Sequence, residues 1–253
     1  MIHLIKAELY QLAIRRTPKL WLIVGFLIGA MVPLIYYLGT WVEKGTRPVL
    51  AQLPAEPVTY LAFIPIMTGT ALFLMIGLGN TAYHDETQNR TLINSVSAGH
   101  SRTSIYLVKF LSSFLLAILF LLVTILGFSI AGSIIFNGDI SLYFDIIIKD
   151  TLPDYLPIWV MNLALFQLVY FFSTSNALMN ITIITIIASP LIWQLLSLKF
   201  DLIQKIEPFI FTQLNPSRPI MINQLNFTPW LALIYFLIFM ELGIIIFSRR
   251  EIK

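Results

Sequence analysis

The residues with the most evident chemical potential lie in a polar segment, 83–105, of an otherwise apolar chain. His84, Asp85 and Glu86 are types that bind divalent metals, and His100 follows in the same segment. Consecutive residues on a helix point about 100° apart, so these side chains do not converge on one ion. Solvated polar residues at the end of an apolar segment explain them better, and we predict no metal site.

One nucleophile falls in an apolar segment, at Ser129 within Gly127-Phe128-Ser129-Ile130. A serine nucleophile needs a neighbouring base, but His3, His84 and His100 all lie outside the apolar segments. A four-residue match also arises easily by chance. We expect small residues here to serve helix packing, with an intramembrane protease kept only as an alternative.

The sequence lacks the residues that two other kinds of chemistry require. The chain has no Cys, so it has neither disulfides nor thiolate chemistry. It also has no GxxxxGK[ST] loop to hold nucleotide phosphates. Any work driven by ATP therefore requires another chain, and we expect this chain to be neither an enzyme nor a cofactor-binding protein.

Glu241 is an ionisable residue inside a predicted membrane span, eight residues before Arg249, or about 12 Å along a helix. A carboxylate at such a depth costs about 2.5 to 3.5 kcal/mol unless it finds a partner. Two interpretations stay open. The carboxylate either reaches the inner interface through local water, or faces other spans or a second subunit, bonded to groups such as Asn180 or Thr182.

The composition indicates that these residues belong to a membrane protein. Of the 253 residues, 58% are hydrophobic and only 11% charged, whereas soluble domains have about 25% charged residues. A span needs about 20 apolar residues. The charge-free stretches predict an all-α integral membrane protein with six transmembrane helices, near 20–40, 58–82, 106–136, 156–173, 177–197 and 230–247. The fourth and fifth form a hairpin hinged at Ser173-Thr174-Ser175-Asn176.

The orientation follows from the positions of Lys and Arg, which concentrate on the cytoplasmic side. With both termini inside, inner segments hold ten of the sixteen basic residues. Outer segments hold eight acidic and six basic residues. We therefore predict a multi-pass membrane protein with both termini inside, forming one transmembrane domain over 1–253.

Two flanking segments have predicted structure of their own. Residues 1–18 carry an apolar stripe at helical spacing, which indicates an interfacial helix on the inner leaflet; the stripe comprises Ile2, Ile5, Leu9, Leu12 and Ala13. The alternative is a basic flank that only sets orientation. The outer loop 199–229 is long enough to carry function or structure.

The polar segment itself indicates an inner elbow. Leu92, Ile93 and Val96 form one apolar patch on a short helix. Gly99 is placed to stop that helix, and Ser101 to cap the next one. Such an elbow suits docking of a cytoplasmic partner, although an ordinary solvated loop is the plainer alternative.

At these residues the chain resembles the ABC-2 type membrane permeases, and among them the six-span permeases of bacitracin and lantibiotic immunity. The family's inner loop has an acidic residue, polar positions, a hydrophobic patch, a Ser-Arg element, an aliphatic-aromatic step and Lys. The matching residues here are Asp85-Glu86, Gln88-Asn89-Arg90-Thr91, Leu92-Ile93, Ser101-Arg102-Thr103-Ser104-Ile105-Tyr106 and Lys109. Arg90 stands where the family often has Gly.

The resemblance implies that the inner loop, 83–105, is a coupling loop seated in a cleft of a separate ABC ATPase subunit. The implied docking residues are Asp85, Glu86, Arg90, Thr91, Leu92, Ile93, Val96, Ser101 and Arg102. ATP and Mg²⁺ would bind a dimer of the partner ATPase. A second permease unit, identical or related, would complete the pathway, and no nucleic acid is implied.

The acid-rich outer face would attract cationic amphipathic peptides, which also insert at membrane interfaces. We therefore expect an exporter of such peptides, acting either from the cytoplasm or from the membrane. A non-transporting membrane scaffold or sensor is the alternative from a different class.

Overall fold

A computed structural model describes residues 2–44, 99–136, 152–173, 176–211 and 227–249, with the short pieces 96, 139, 141, 148–149 and 214. Every regular element in these ranges is helical. In chain order they are α1 (Ile2–Ile14), α2 (Arg16–Lys44), α3 (Arg102–Phe136), α4 (Leu152–Phe172), α5 (Asn176–Ser197), α6 (Asp201–Ile206), a 3-10 turn (Glu207–Phe209) and α7 (Thr228–Arg249).

The long helices lie over five of the six predicted spans. Among the described residues, four helices are long and apolar enough to cross a membrane, at Arg16–Ile35, Arg102–Ile135, Ala177–Ser197 and Thr228–Arg249. A fifth apolar helix, Leu156–Phe172, is shorter. The remaining predicted span, 58–82, lies outside the described residues.

The helix α3 is the centre of the fold. Its 35 residues extend about 52 Å, more than the hydrocarbon layer of about 30 Å, so it must tilt or project beyond the layer. It packs extensively against α2 and also contacts α1, α4 and α7. The largest apolar core lies along it and includes Phe120 and Phe128 from α3, Trp159 and Phe166 from α4, and Met179 from α5.

Glycines bring α2 and α3 into backbone contact. A Cβ at Gly29 would lie 2.1 Å from the carbonyl oxygen of Thr124, and one at Gly127 would lie 2.3 Å from that of Phe26. Gly25 precedes Gly29 by one turn and faces the ring of Phe120. Because Gly25 meets Phe120 and Gly29 meets Thr124, both chains advance in the same direction, and the two helices are parallel.

The other directions follow from contacts at one end of the bundle. Tyr106, near the start of α3, contacts Phe171 near the end of α4, so these two helices are antiparallel. Phe171 in turn contacts Phe247, near the end of α7. The helices α4 and α7 also pack closely along their length, from Ile158 and Ala232 onwards, and are therefore parallel.

The predicted hinge between the fourth and fifth spans agrees with the helix ends. The helix α4 ends at Phe172, and α5 begins at Asn176. The backbone N–H of Ser173 still donates to the carbonyl of Val169, 2.9 Å away, which completes the last turn of α4.

The helix α1 lies within the predicted N-terminal segment and contacts the bundle with one of its faces. Leu4, Ile5, Glu8 and Leu12 are half-buried, whereas Leu9 and Ala13 of the apolar stripe are exposed. An ion pair brings Glu8 against α3. The position of the stripe on the inner leaflet stays a prediction.

Candidate functional site

The predicted docking residues divide into those the structure describes and those it does not. Asp85, Glu86, Arg90, Thr91, Leu92 and Ile93 lie outside the described residues, as does His84. Val96, Ser101 and Arg102 are described, and all three lie at the end of the bundle where α3 begins. Their contacts show how the loop joins the membrane helices.

The turn between the loop and α3 has the predicted geometry. Gly99 has a φ of 86°, the left-handed conformation that ends a helix, and its N–H donates to the carbonyl of Val96 at 3.0 Å. Ser101 accepts a hydrogen bond at its Oγ from the N–H of Ser104, at 3.2 Å. This is the bond of an N-cap residue. The prediction of a serine cap is confirmed. Gly99 has the conformation that a helix stop requires, while the helix predicted before it lies outside the described residues.

Val96 attaches the loop to an aromatic cluster at the helix ends. This aromatic cluster comprises Ile105 and Tyr106 of α3, Phe171 of α4 and Phe247 of α7, all buried. Val96 is half-buried and packs against it. One residue of the predicted docking patch therefore packs against the chain's own helices, at the cluster where three of them meet.

The rings of the aromatic cluster make mutual contacts. The centroids of Phe171 and Phe247 lie 4.7 Å apart, and those of Tyr106 and Phe171 lie 5.2 Å apart. The buried side chain of Gln167 donates from Nε2 to the carbonyl of Tyr106, at 3.0 Å. A Cβ at Gly243 would lie only 1.9 Å from the Tyr106 hydroxyl, so α7 meets α3 at a glycine.

Arg102 closes the same end of the bundle from outside. Its guanidinium Nη1 donates to the carbonyl of Ser248, 2.7 Å away, in the last turn of α7. A cation at a helix C-terminus satisfies a free carbonyl and interacts favourably with the helix dipole. The predicted docking residue thus has a structural contact as well, because it ties the start of α3 to the end of α7.

Sequence reasoning missed a charged pair beside this site. Lys109 lies in α3, seven residues after Arg102, or about 10 Å along the helix, and its side chain is 4% exposed. Its Nζ forms an ion pair with Oε1 of Glu8 on α1. A lysine inside a predicted span was the available signal, since a buried ammonium requires a partner. Nothing local in the sequence identified Glu8 as that partner.

Glu241 lies on an exposed face of α7 in the single chain. The hydroxyl of Thr182, one of its suggested partners, donates instead to the carbonyl of Leu178 on its own helix, at 2.8 Å. The side chain of Asn180 is not among those described. Among the described residues no contact of Glu241 with another span is seen, and both interpretations of this residue stay predictions.

Ser129 has the surroundings of a packing residue. It is buried on α3, two residues after the glycine that contacts the backbone of α2. His100 precedes the start of α3, whereas Ser129 lies about 40 Å along that helix. This distance excludes His100 as its base.

Comparison with known proteins yields one family. Residues 4–189, well over half of the chain, match the model of the family described as ABC-2 family transporter protein. Searches of curated proteins and of solved structures found no significant match.

Proposed function

Because the chain belongs to the ABC-2 family of transporter proteins and is a multi-pass protein of the cell membrane, we propose that it couples to a separate cytoplasmic ABC ATPase through residues 83–105. ABC-2 permeases are transport subunits that associate with such an ATPase. The observation that supports the coupling is the attachment of Val96 to the aromatic cluster, where α3, α4 and α7 meet.

Helix directions support six spans with both termini inside. Parallel α2 and α3 start on the same side, so the chain must return across the membrane between them, as a span at 58–82 provides. The antiparallel order of α3 and α4 requires no further crossing between those two. Since α4 and α7 are parallel, α5 supplies the one return between them. Basic residues Arg16, Arg102 and Arg249 then share the inner side.

The elbow is built to pass on a rigid motion. Gly99 and Ser101 fix the turn, and α3 continues from it without interruption to Phe136. Movement of two ATPase subunits is a rigid-body motion, and a short segment firmly joined to helix ends can carry it into the membrane. The backbone contacts at Gly29 and Gly127 make α2 follow α3.

We propose cationic amphipathic peptides as the substrate class. The support is electrostatic: the outer segments carry eight acidic and six basic residues in the proposed topology. An acidic surface raises the local concentration of cationic ligands. Such peptides bind at membrane interfaces, where a transporter can take them up laterally.

The proposed partner is tested by affinity purification of the tagged chain from its own host membrane. We expect an ABC ATPase to copurify, and ATP and Mg²⁺ to be used by the complex. The chain alone should show no hydrolysis, because its sequence has no phosphate-binding loop.

The matched control is the complex with the ATPase subunit inactivated in its own nucleotide site. Loss of all hydrolysis in that complex would support the proposal. Hydrolysis by the purified chain alone, or a purified complex without any ATPase, would contradict it.

A further inference from the structure

The Glu8–Lys109 ion pair is a deeply buried charge contact in the described part of the chain. The side chain of Lys109 is 4% exposed and that of Glu8 is 15% exposed. A buried ammonium without a partner is strongly unfavourable, so Lys109 makes the position of Glu8 specific. Apolar contacts alone would allow α1 to slide or rotate.

The buried side of α1 is organised around Glu8. Leu4 and Ile5 precede it and Leu12 follows it on the same face, while Lys6 and Tyr10 lie exposed on the opposite face. Although α1 is continuous in sequence with α2, it packs more extensively against α3. The ion pair therefore fixes an otherwise exposed helix to the central helix of the fold.

The pair lies beside the proposed coupling elbow. Lys109 follows Tyr106 by three residues, so the two occupy neighbouring turns of α3. Tyr106 belongs to the aromatic cluster against which Val96 packs. Through Lys109, α1 is thus attached to the same segment of α3 as the coupling loop.

We propose that Glu8 is a positioning residue for energy coupling: its ion pair with Lys109 fixes α1 to α3, so that α1 and the coupling loop move as one body. The coupling role of Glu8 rests on the proposed function, whereas the attachment of α1 to α3 does not. Breaking the pair should leave ATP hydrolysis in place and lower the rate of transport relative to the rate of hydrolysis.

The first experiment measures the ratio of transport to hydrolysis for the reconstituted complex with its ATPase. The transport probe is a fluorescently labelled cationic amphipathic peptide in proteoliposomes. Glu8→Lys and Lys109→Glu each place like charges together, and we expect each to lower the ratio about tenfold, within the range reported for residues in coupling networks. The double variant Glu8→Lys/Lys109→Glu should restore it.

The matched control is Lys6→Glu, which reverses a charge on the exposed face of the same helix. It should leave the ratio within about twofold of the wild type. A swapped double variant that stays as uncoupled as the single variants, or a control that loses as much as they do, would overturn the proposal.

A second experiment tests the geometry without transport. The chain has no cysteine, so Glu8→Cys/Lys109→Cys introduces the only two thiols. A short bifunctional thiol reagent should join them in membranes, and the joined protein should recover the transport ratio that the unjoined variant loses. The pair Lys6→Cys/Lys109→Cys should join much less.

These outcomes separate the two proposals. Equal joining of both cysteine pairs would overturn the ion-pair geometry. If the Glu8→Cys/Lys109→Cys protein joins as expected but the wild-type complex moves no probe, the peptide-transport function and, with it, the coupling role would be overturned.

Discussion

The central helix α3 has two interfaces that consist of different kinds of contact. Against α2, the contact is backbone to backbone, made by Gly25, Gly29 and Gly127. At its starting end, the contact is made by aromatic rings and by side chains bonded to carbonyls, as with Arg102 and Gln167.

The difference in contacts indicates that the two interfaces differ in how far they can rearrange. Backbone contact at glycines has one geometry, because any shift opens voids or produces overlap in a close-packed interior. Side chains have alternative rotamers, so the end of the bundle can rearrange in discrete steps. We infer that α2 and α3 move as a rigid pair together with the turn that precedes α3, and that α4 and α7 adjust against them through the rings of Phe171 and Phe247.

The largest expected effect comes from filling the glycine interface. Gly29→Ala places a Cβ 2.1 Å from the Thr124 carbonyl oxygen, where only backbone movement could relieve the overlap. We expect a loss of about 3 kcal/mol in stability, at the upper end for overpacking. The measurement is thermal unfolding in detergent.

The control for that change is Gly132→Ala on α3, the helix that packs against Gly29. No heavy atom lies within 4 Å of a Cβ there, so alanine should gain up to about 1 kcal/mol from helix propensity. If both substitutions shift the unfolding temperature alike, the α2–α3 contact is not held by its glycines.

A smaller effect is expected from replacing Arg102, at the end of the bundle where α3 begins. Arg102→Gln removes the charge that bonds the Ser248 carbonyl, and should cost about 1 kcal/mol because the contact is partly solvated. Arg102→Lys keeps a cation near the end of α7 and should lose less.

Unfolding and ATPase binding are to be measured on the same preparations of these two variants. A parallel loss of stability and binding is expected. Lost binding with unchanged stability would mean that Arg102 docks to the partner and does not hold α7.

The smallest effect, with the opposite sign, is expected at Tyr106. Its buried hydroxyl has no hydrogen-bond partner among the described residues, so Tyr106→Phe should raise stability by up to about 1 kcal/mol. Gly243→Ala should destabilise the wild type through its overlap with that hydroxyl. The loss should be smaller in the Tyr106→Phe background.

A double-mutant cycle of unfolding free energies measures this coupling. Additive effects of the two substitutions would show that α7 does not approach α3 at this hydroxyl, and the aromatic cluster would then need another packing.

Features set by local sequence could be predicted. Charge-free stretches located the long helices, and Gly99 and Ser101 specified the turn before α3, because stops and caps depend on neighbours within four residues. The glycines at 25 and 29, four residues apart, are a further local signal for close helix packing.

Features set by distant partners could not be predicted. Lys109 falls within the predicted span 106–136, but nothing in the sequence relates Glu8 to it. Likewise, the contact of Arg102 with Ser248 could not be predicted, because it joins residues far apart in the chain. The docking role of Arg102 stays a prediction. The face of α1 that contacts α3 could not be predicted for the same reason, since an ion pair between distant residues brings it there.

The most direct test of coupling is a cross-link from the loop to its partner. Because the chain has no cysteine, Leu92→Cys can carry a photoactivatable group as the only labelled site, with Leu198→Cys on the exposed outer end of α5 as control. We expect Leu92 to cross-link the ABC ATPase in host membranes, with a yield that differs between ATP and ADP, and Leu198 to give none. Equal yields at both positions, or no ATPase product from Leu92 in an assembled complex, would contradict coupling through this loop.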